Sequence, residues 1–130
     1  TRLEAFATLA ECYEDKSEDA QAVEAWRRAL ELKHPRPFWR YRYAKQMRER
    51  NQWPEVANQL GLALPLAEAY DIPPGWLADA EFLGGEAFRI TGRKKEAIAA
   101  YRKFLDIAPG NSPDRRDATA ALEALGEKIR

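Results

Sequence analysis

Residues 83–109 read Leu-Gly-Gly-Glu-Ala-Phe-Arg-Ile-Thr-Gly-Arg-Lys-Lys-Glu-Ala-Ile-Ala-Ala-Tyr-Arg-Lys-Phe-Leu-Asp-Ile-Ala-Pro, and this stretch decides the fold. Two runs of helix formers are parted by Thr91-Gly92 and closed by Pro109-Gly110, the punctuation of a helical hairpin. Each run sets a small residue (Gly85, Ala97) three or four places before a large one (Phe88, Tyr101) on the same helix face. The small residues let two antiparallel helices approach, and the large ones fill the gap to the next element.

The same frame recurs upstream. Leu9-Ala10-x-x-Tyr13 and Tyr43-Ala44-x-x-Met47 align with Gly84-Gly85-x-x-Phe88. Nine residues on stand Ala22, Val56 and Ala97, and four beyond those Trp26, Leu60 and Tyr101. The second copy follows the first by 34 residues and the third follows the second by 41, so about seven residues are inserted within 65–77. A lone hairpin leaves its apolar face open, so such units must stack.

Outward from this frame, the breakers divide the chain into seven helical segments. These are expected near residues 3–15, 20–33, 38–50, 52–70, 76–91, 94–108 and 113–129. Asn51 is available to cap the fourth, and Pro54 sits harmlessly in its first turn. Pro65 is expected to kink or end that helix, and Ser112 to cap the last. No alternating strand pattern occurs, so the fold class is all-α.

A small-x-x-aromatic helix, an Ala-x-x-x-aromatic helix, a closing proline and a 34-residue step together resemble the tetratricopeptide repeat family. The third copy matches at Gly85, Phe88, Gly92, Ala97, Tyr101 and Pro109. The first matches at Phe6, Leu9, Tyr13, Ala22, Trp26 and Ala29, while the second departs most, with Arg40, Met47 and Val56 at motif places. The resemblance implies an α-solenoid of three hairpins at about 3–36, 37–70 and 78–111, closed by a capping helix at 113–129. All of it forms a single domain over 1–130, and the abrupt entry into a helix reads as a piece of a longer protein.

Composition narrows the function. The chain has 21 basic and 21 acidic residues and no net charge, which gives no global field for nucleic acid or an anionic membrane. Apolar residues make up 45%, and no apolar run approaches the ~20 residues of a membrane span. The compartment stays open between cytoplasm and periplasm. His34, the only histidine, lies in a proline-flanked turn, so a His-based metal site or nucleophile relay lacks parts. Cys12, the only cysteine, reads as a buried structural thiol in the hairpin interior. Gly84-Gly85 and Gly92 form no phosphate loop, since no strand precedes them and no Gly-Lys-Ser/Thr follows. No catalytic set, cofactor motif or metal site is expected.

One stretch stands out. Arg36 to Arg50 interleaves Phe38, Trp39, Tyr41 and Tyr43 with six basic residues against one acidic. Trp39, Tyr43 and Met47 fall on one helix face and read as core. In the family, the first helix of each hairpin lines a concave groove that takes a peptide. Carried over by register, that groove would present Glu4 and Glu11, then Phe38, Tyr41, Arg42, Lys45 and Arg48, then Asp79, Phe82, Glu86 and Arg89. The implied function is a protein–protein interaction module, binding a peptide or partner protein of mixed charge. One alternative is RNA or single-stranded DNA binding through residues 36–50, and another is self-association of the array into a homo-oligomer. Some family members grip a peptide's C-terminal carboxylate with a Lys/Asn clamp. At those places this chain has Ala7, Glu11, Arg42, Asp79 and Leu83, so that clamp is absent.

Overall fold

Helix formers between grouped breakers give seven α-helices among the described residues of the computed structural model: α1 Arg2–Asp15, α2 Asp19–Leu30, α3 Pro37–Glu49, α4 Trp53–Glu68, α5 Leu77–Ile90, α6 Lys94–Ile107 and α7 Asp114–Ala124. The structure describes residues 2–127, with side chains from Ala5 onward, and no strand occurs among them. The groove position at Glu4 and the far end of the capping helix at Lys128 and Ile129 lie outside the described residues.

The chain divides into two compact units, Thr1–Leu66 and Ala67–Arg130. In the first, Ala10, Ala22 and Ala29 are fully buried beside Trp26, with Ala44, Val56 and Leu60 completing the interior. Trp39, Tyr43 and Met47 are buried as their common face required. In the second, Tyr101 and Phe104 of α6 lie buried with Phe88 and Leu77 of α5, and Ala118 and Leu122 of α7 close the interior. The Arg115 guanidinium fixes α7 to the end of α6 by donating to the Leu105 and Ala108 carbonyls at 2.9 and 3.1 Å. These are carbonyls that a helix C-terminus leaves unpaired.

The register reappears in the backbone. Ser17, Asn51 and Gly92, each seven residues after the small residue of its copy, hold positive φ of 58°, 57° and 81°. In each case the next residue's N–H reaches five residues back: Glu18 to Tyr13, Gln52 to Met47 and Arg93 to Phe88, at 2.7–2.9 Å. This is the Schellman closure of a helix C-terminus. It ends the first helix of every hairpin at one repeat position. Gly126 closes α7 in the same way, with φ 85° and a bond from Glu127 N–H to the Leu122 carbonyl, so that helix stops at Ala124.

Four expectations change. Asn51 closes α3 in the left-handed conformation instead of capping α4, a role its short side chain tolerates. The fourth helix runs through Pro65 to Glu68 without a break. Pro65 removes one backbone bond there, while the flanking Ala63, Leu64 and Ala67 remain buried and hold the helix in place. Pro113, not Ser112, precedes the first residue of α7, and no side chain caps it. Cys12 is exposed rather than buried. It lies two residues beyond buried Ala10, or about 200° around the helix, on the side facing away from α2.

Candidate functional site

In the first unit, the side chains of the basic-aromatic stretch turn largely upon one another. The Arg42 guanidinium lies over the rings of Trp26, at 5.4 Å, and Phe38, at 5.6 Å. It also donates to a Glu14 carboxylate oxygen, and Gln46 Nε2 donates to the other oxygen of the same group. Glu14 thereby ties α1 to α3, and Arg42 is a structural bolt between three helices. Tyr41 is only 5% exposed. Its ring meets Phe38 at 6.3 Å and is covered by the Lys45 ammonium at 5.5 Å. The expectation that Tyr41 offers its ring to a ligand is therefore corrected, because its neighbours on α3 take that face.

Three of the other basic residues are engaged as well, while Arg50 stays exposed. Arg36 lies 5.5 Å over Trp39, Arg40 donates to Gln59 at 2.9 Å, and Arg48 pairs with Glu49 at 2.9 Å. A phosphate-binding stripe would need these cations directed outward together. Lys45, Arg48 and, on α1, Glu11 keep exposed positions.

Arg42 carries a testable consequence. Its side chain is 25% exposed and that of Glu14 is 14% exposed, so truncation leaves a half-buried carboxylate and an unstacked Trp26. Arg42→Ala is expected to lower stability by about 2 kcal/mol, measured as a fall in the urea midpoint. Glu14→Gln should lose less, because the amide still hydrogen-bonds.

In the second unit, Asp79, Phe82, Glu86 and Arg89 follow one another at steps of three and four and so share a stripe of α5. Three of them line a cavity of about 350 Å3 between α5 and α7, together with Tyr101, Asp117, Ala120, Ala121 and Ala124. The floor is apolar: Phe82 meets Tyr101 edge-on at 6.1 Å and Phe104 at 5.2 Å, and the alanines of α7 face it. The rim is charged. Arg89 Nε donates to the Tyr101 hydroxyl at 3.3 Å, and its other nitrogen lies 3.9 Å from Glu86. That bond with Tyr101 holds the Arg89 guanidinium protonated even more firmly than usual, whereas burial raises the Tyr101 hydroxyl above its ordinary range. Asp79 is exposed on the same stripe outside the cavity.

The sequence frame put Phe82, Glu86 and Arg89 on one stripe of α5 as groove positions and did not include the α7 wall of Asp117, Ala120 and Ala124. The signal was present, since Asp117, Ala120, Ala121 and Ala124 also recur at steps of three and four, next to the buried stripe of Ala118 and Leu122. Among the described residues, no group of three or more His, Cys, Asp or Glu side chains is arranged to hold a metal ion. No helix among them is long and apolar enough to cross a membrane.

The comparisons with known proteins agree with this geometry. Residues 83–111, which carry α6 and the second half of α5, match the tetratricopeptide repeat model. The chain contains a tetratricopeptide repeat. The tetratricopeptide fold extends across the rest of the chain as well. The tetratricopeptide domain of Arabidopsis OM64 is similar over 98% of this chain and 96% of its own, with a TM-score of 0.67 and 19% identity. MamA is similar over 95% of this chain and 68% of its own, with a TM-score of 0.74 and 22% identity. The first such domain of Spaghetti (RPAP3), bound to the HSP90 peptide SRMEEVD, is similar over 96% of this chain and 94% of its own, with a TM-score of 0.74 and 15% identity. None of the curated proteins matches the sequence. An all-α helical repeat of this kind is the framework of a protein–protein interaction module.

Proposed function

We propose that this protein binds a peptide segment of a partner protein, and that its principal contact is the cavity between α5 and α7. The observation that carries the reading is the convergence of Phe82, Glu86 and Arg89 from one helix stripe on the small-residue face of α7. An apolar floor of about 350 Å3 with a few charged groups at its rim suits one apolar side chain of a peptide, flanked by polar neighbours. Glu86 and Asp117 favour a basic neighbour on one side, and Arg89 favours a carboxylate or carbonyl on the other. In the first unit, Lys45 and Arg48 on α3 and Glu11 on α1 offer a second, more polar contact surface.

The peptide SRMEEVD, bound by the Spaghetti domain, serves as a contrast. Glu11 and Asp79 stand where a carboxylate clamp needs Lys or Asn, so like charges would face its acidic end. A peptide selected from a displayed library against the whole chain provides the positive probe. Arg89→Ala and Ala120→Glu, both at exposed positions, are expected to weaken that peptide at least tenfold, about 1.4 kcal/mol. SRMEEVD is expected not to bind. Unchanged affinity in both variants would remove the cavity assignment.

A further inference from the structure

The charges around the α5–α7 cavity do not balance. One cation, Arg89, and two carboxylates, Glu86 and Asp117, line it, which leaves a single net negative charge. Arg89 is already engaged within its own hairpin. Its Nε donates to the Tyr101 hydroxyl at 3.3 Å, and another of its nitrogens lies 3.9 Å from Glu86. Both of those partners belong to α5 and α6, so the cation and one carboxylate answer each other away from the α7 wall.

Asp117 has no such answer. No hydrogen bond or ion pair reaches its carboxylate among the described residues. The guanidinium of nearby Arg115 is turned to the end of α6, where it holds the Leu105 and Ala108 carbonyls. Asp114 and Asp117 both suit the positive N-terminal end of α7, but only Asp117 also lines the cavity. Its charge is felt inside. Burial foremost raises the Tyr101 hydroxyl, Arg89 opposes, and the Glu86 and Asp117 carboxylates add to the rise.

Spacing ties this charge to the apolar floor. Asp117 stands one turn ahead of Ala120, Ala121 and Ala124 on the same stripe of α7, a separation of about 5–6 Å. Side chains two places apart on one edge of an extended peptide are about 7 Å apart. We infer that Asp117 is the specificity-determining residue of the cavity, and that its ligand is an extended segment with a Lys or Arg two places from the apolar anchor. This rests on the peptide reading above and adds the class of peptide. The anchor fills the floor, and the basic side chain lays its methylene stem along the rim with its head at Asp117. Because Asp117 is exposed, the pair selects among peptides more than it adds affinity.

The test is a charge swap on the whole chain. A peptide is selected from a displayed library, and a second version replaces its basic residue by Glu. Both are titrated into the wild type, Asp117→Asn, Asp117→Lys and Ala120→Glu, each checked for helix content by circular dichroism. The selected peptide is expected to carry Lys or Arg two places from an apolar residue. It should weaken about threefold in Asp117→Asn and at least tenfold in Asp117→Lys. The Glu version should bind Asp117→Lys better than the wild type, an inversion that a merely structural role for Asp117 would not produce. A peptide that is weakened by Ala120→Glu yet lacks a basic residue, or ranks the two versions alike in the wild type and Asp117→Lys, overturns the inference and leaves the cavity reading standing. A peptide indifferent to Ala120→Glu removes the cavity reading, and the role of Asp117 with it.

Discussion

Glu81→Leu is expected to unfold at a higher urea midpoint than the wild type at neutral pH and to lose most of the pH dependence between about pH 5 and 9. Glu81 is completely buried, and neither carboxyl oxygen has a hydrogen-bond donor within reach. Burial foremost, then the adjacent Glu68 carboxyl, pushes its pKa up to about 10, with Lys103 opposing only weakly. In the unfolded chain the group titrates near 4.5. Between those values the folded state holds a proton that the unfolded state releases. Stability is therefore greatest at or below about pH 4.5 and falls as pH rises towards 10.

By pH 7 the accumulated loss is on the order of 3 kcal/mol. Leucine removes both that loss and the two unsatisfied oxygens, and the first hairpin already accommodates Phe6 at the same repeat position. Urea titrations of both proteins at about pH 5, 7 and 9 provide the check. Parallel slopes against pH would mean that Glu81 is ionised in the folded state.

The second large effect has a sign that geometry decides. In an exposed helix, Gly→Ala stabilises by about 1 kcal/mol. At Gly85 the added Cβ would stand 2.8 Å from both Cδ1 and Cε1 of Tyr101 and 3.0 Å from Cγ. That ring is 1% exposed and anchored through its hydroxyl to Arg89, so it has nowhere to go. Overpacking of this kind costs about 1–3 kcal/mol. Gly85→Ala is expected to lower stability by about 1 kcal/mol net. Gly85→Ala combined with Tyr101→Leu should recover part of that loss, because removing the ring removes the clash. A stabilised Gly85→Ala single variant would contradict the close approach of α5 and α6.

Much of this was legible in the sequence because it rests on spacing. The three-copy frame located the small residues at the helix crossings, and Gly85 against Tyr101 is that expectation realised at atomic distance. The frame also placed Phe82, Glu86 and Arg89 on one stripe. What escaped it depends on which neighbour a side chain chooses. Tyr41 and Arg42 sit at groove positions by register, yet cation–π stacking and Glu14 draw them into the structure. Asn51 was equally suited to start α4 or to end α3, and only the backbone bonds decide between those roles. Glu81 was detectable, since it occupies the slot of Phe6, but a carboxyl in an apolar slot looks like a surface residue until its burial is known.

The measurement that bears most directly on the binding assignment is an isotope-edited NMR titration of the full chain with the display-selected peptide. The account predicts that backbone shifts concentrate at Phe82, Glu86 and Arg89 of α5 and at Asp117, Ala120 and Ala124 of α7. Shifts gathered on other surfaces, with these six residues unmoved, would contradict it.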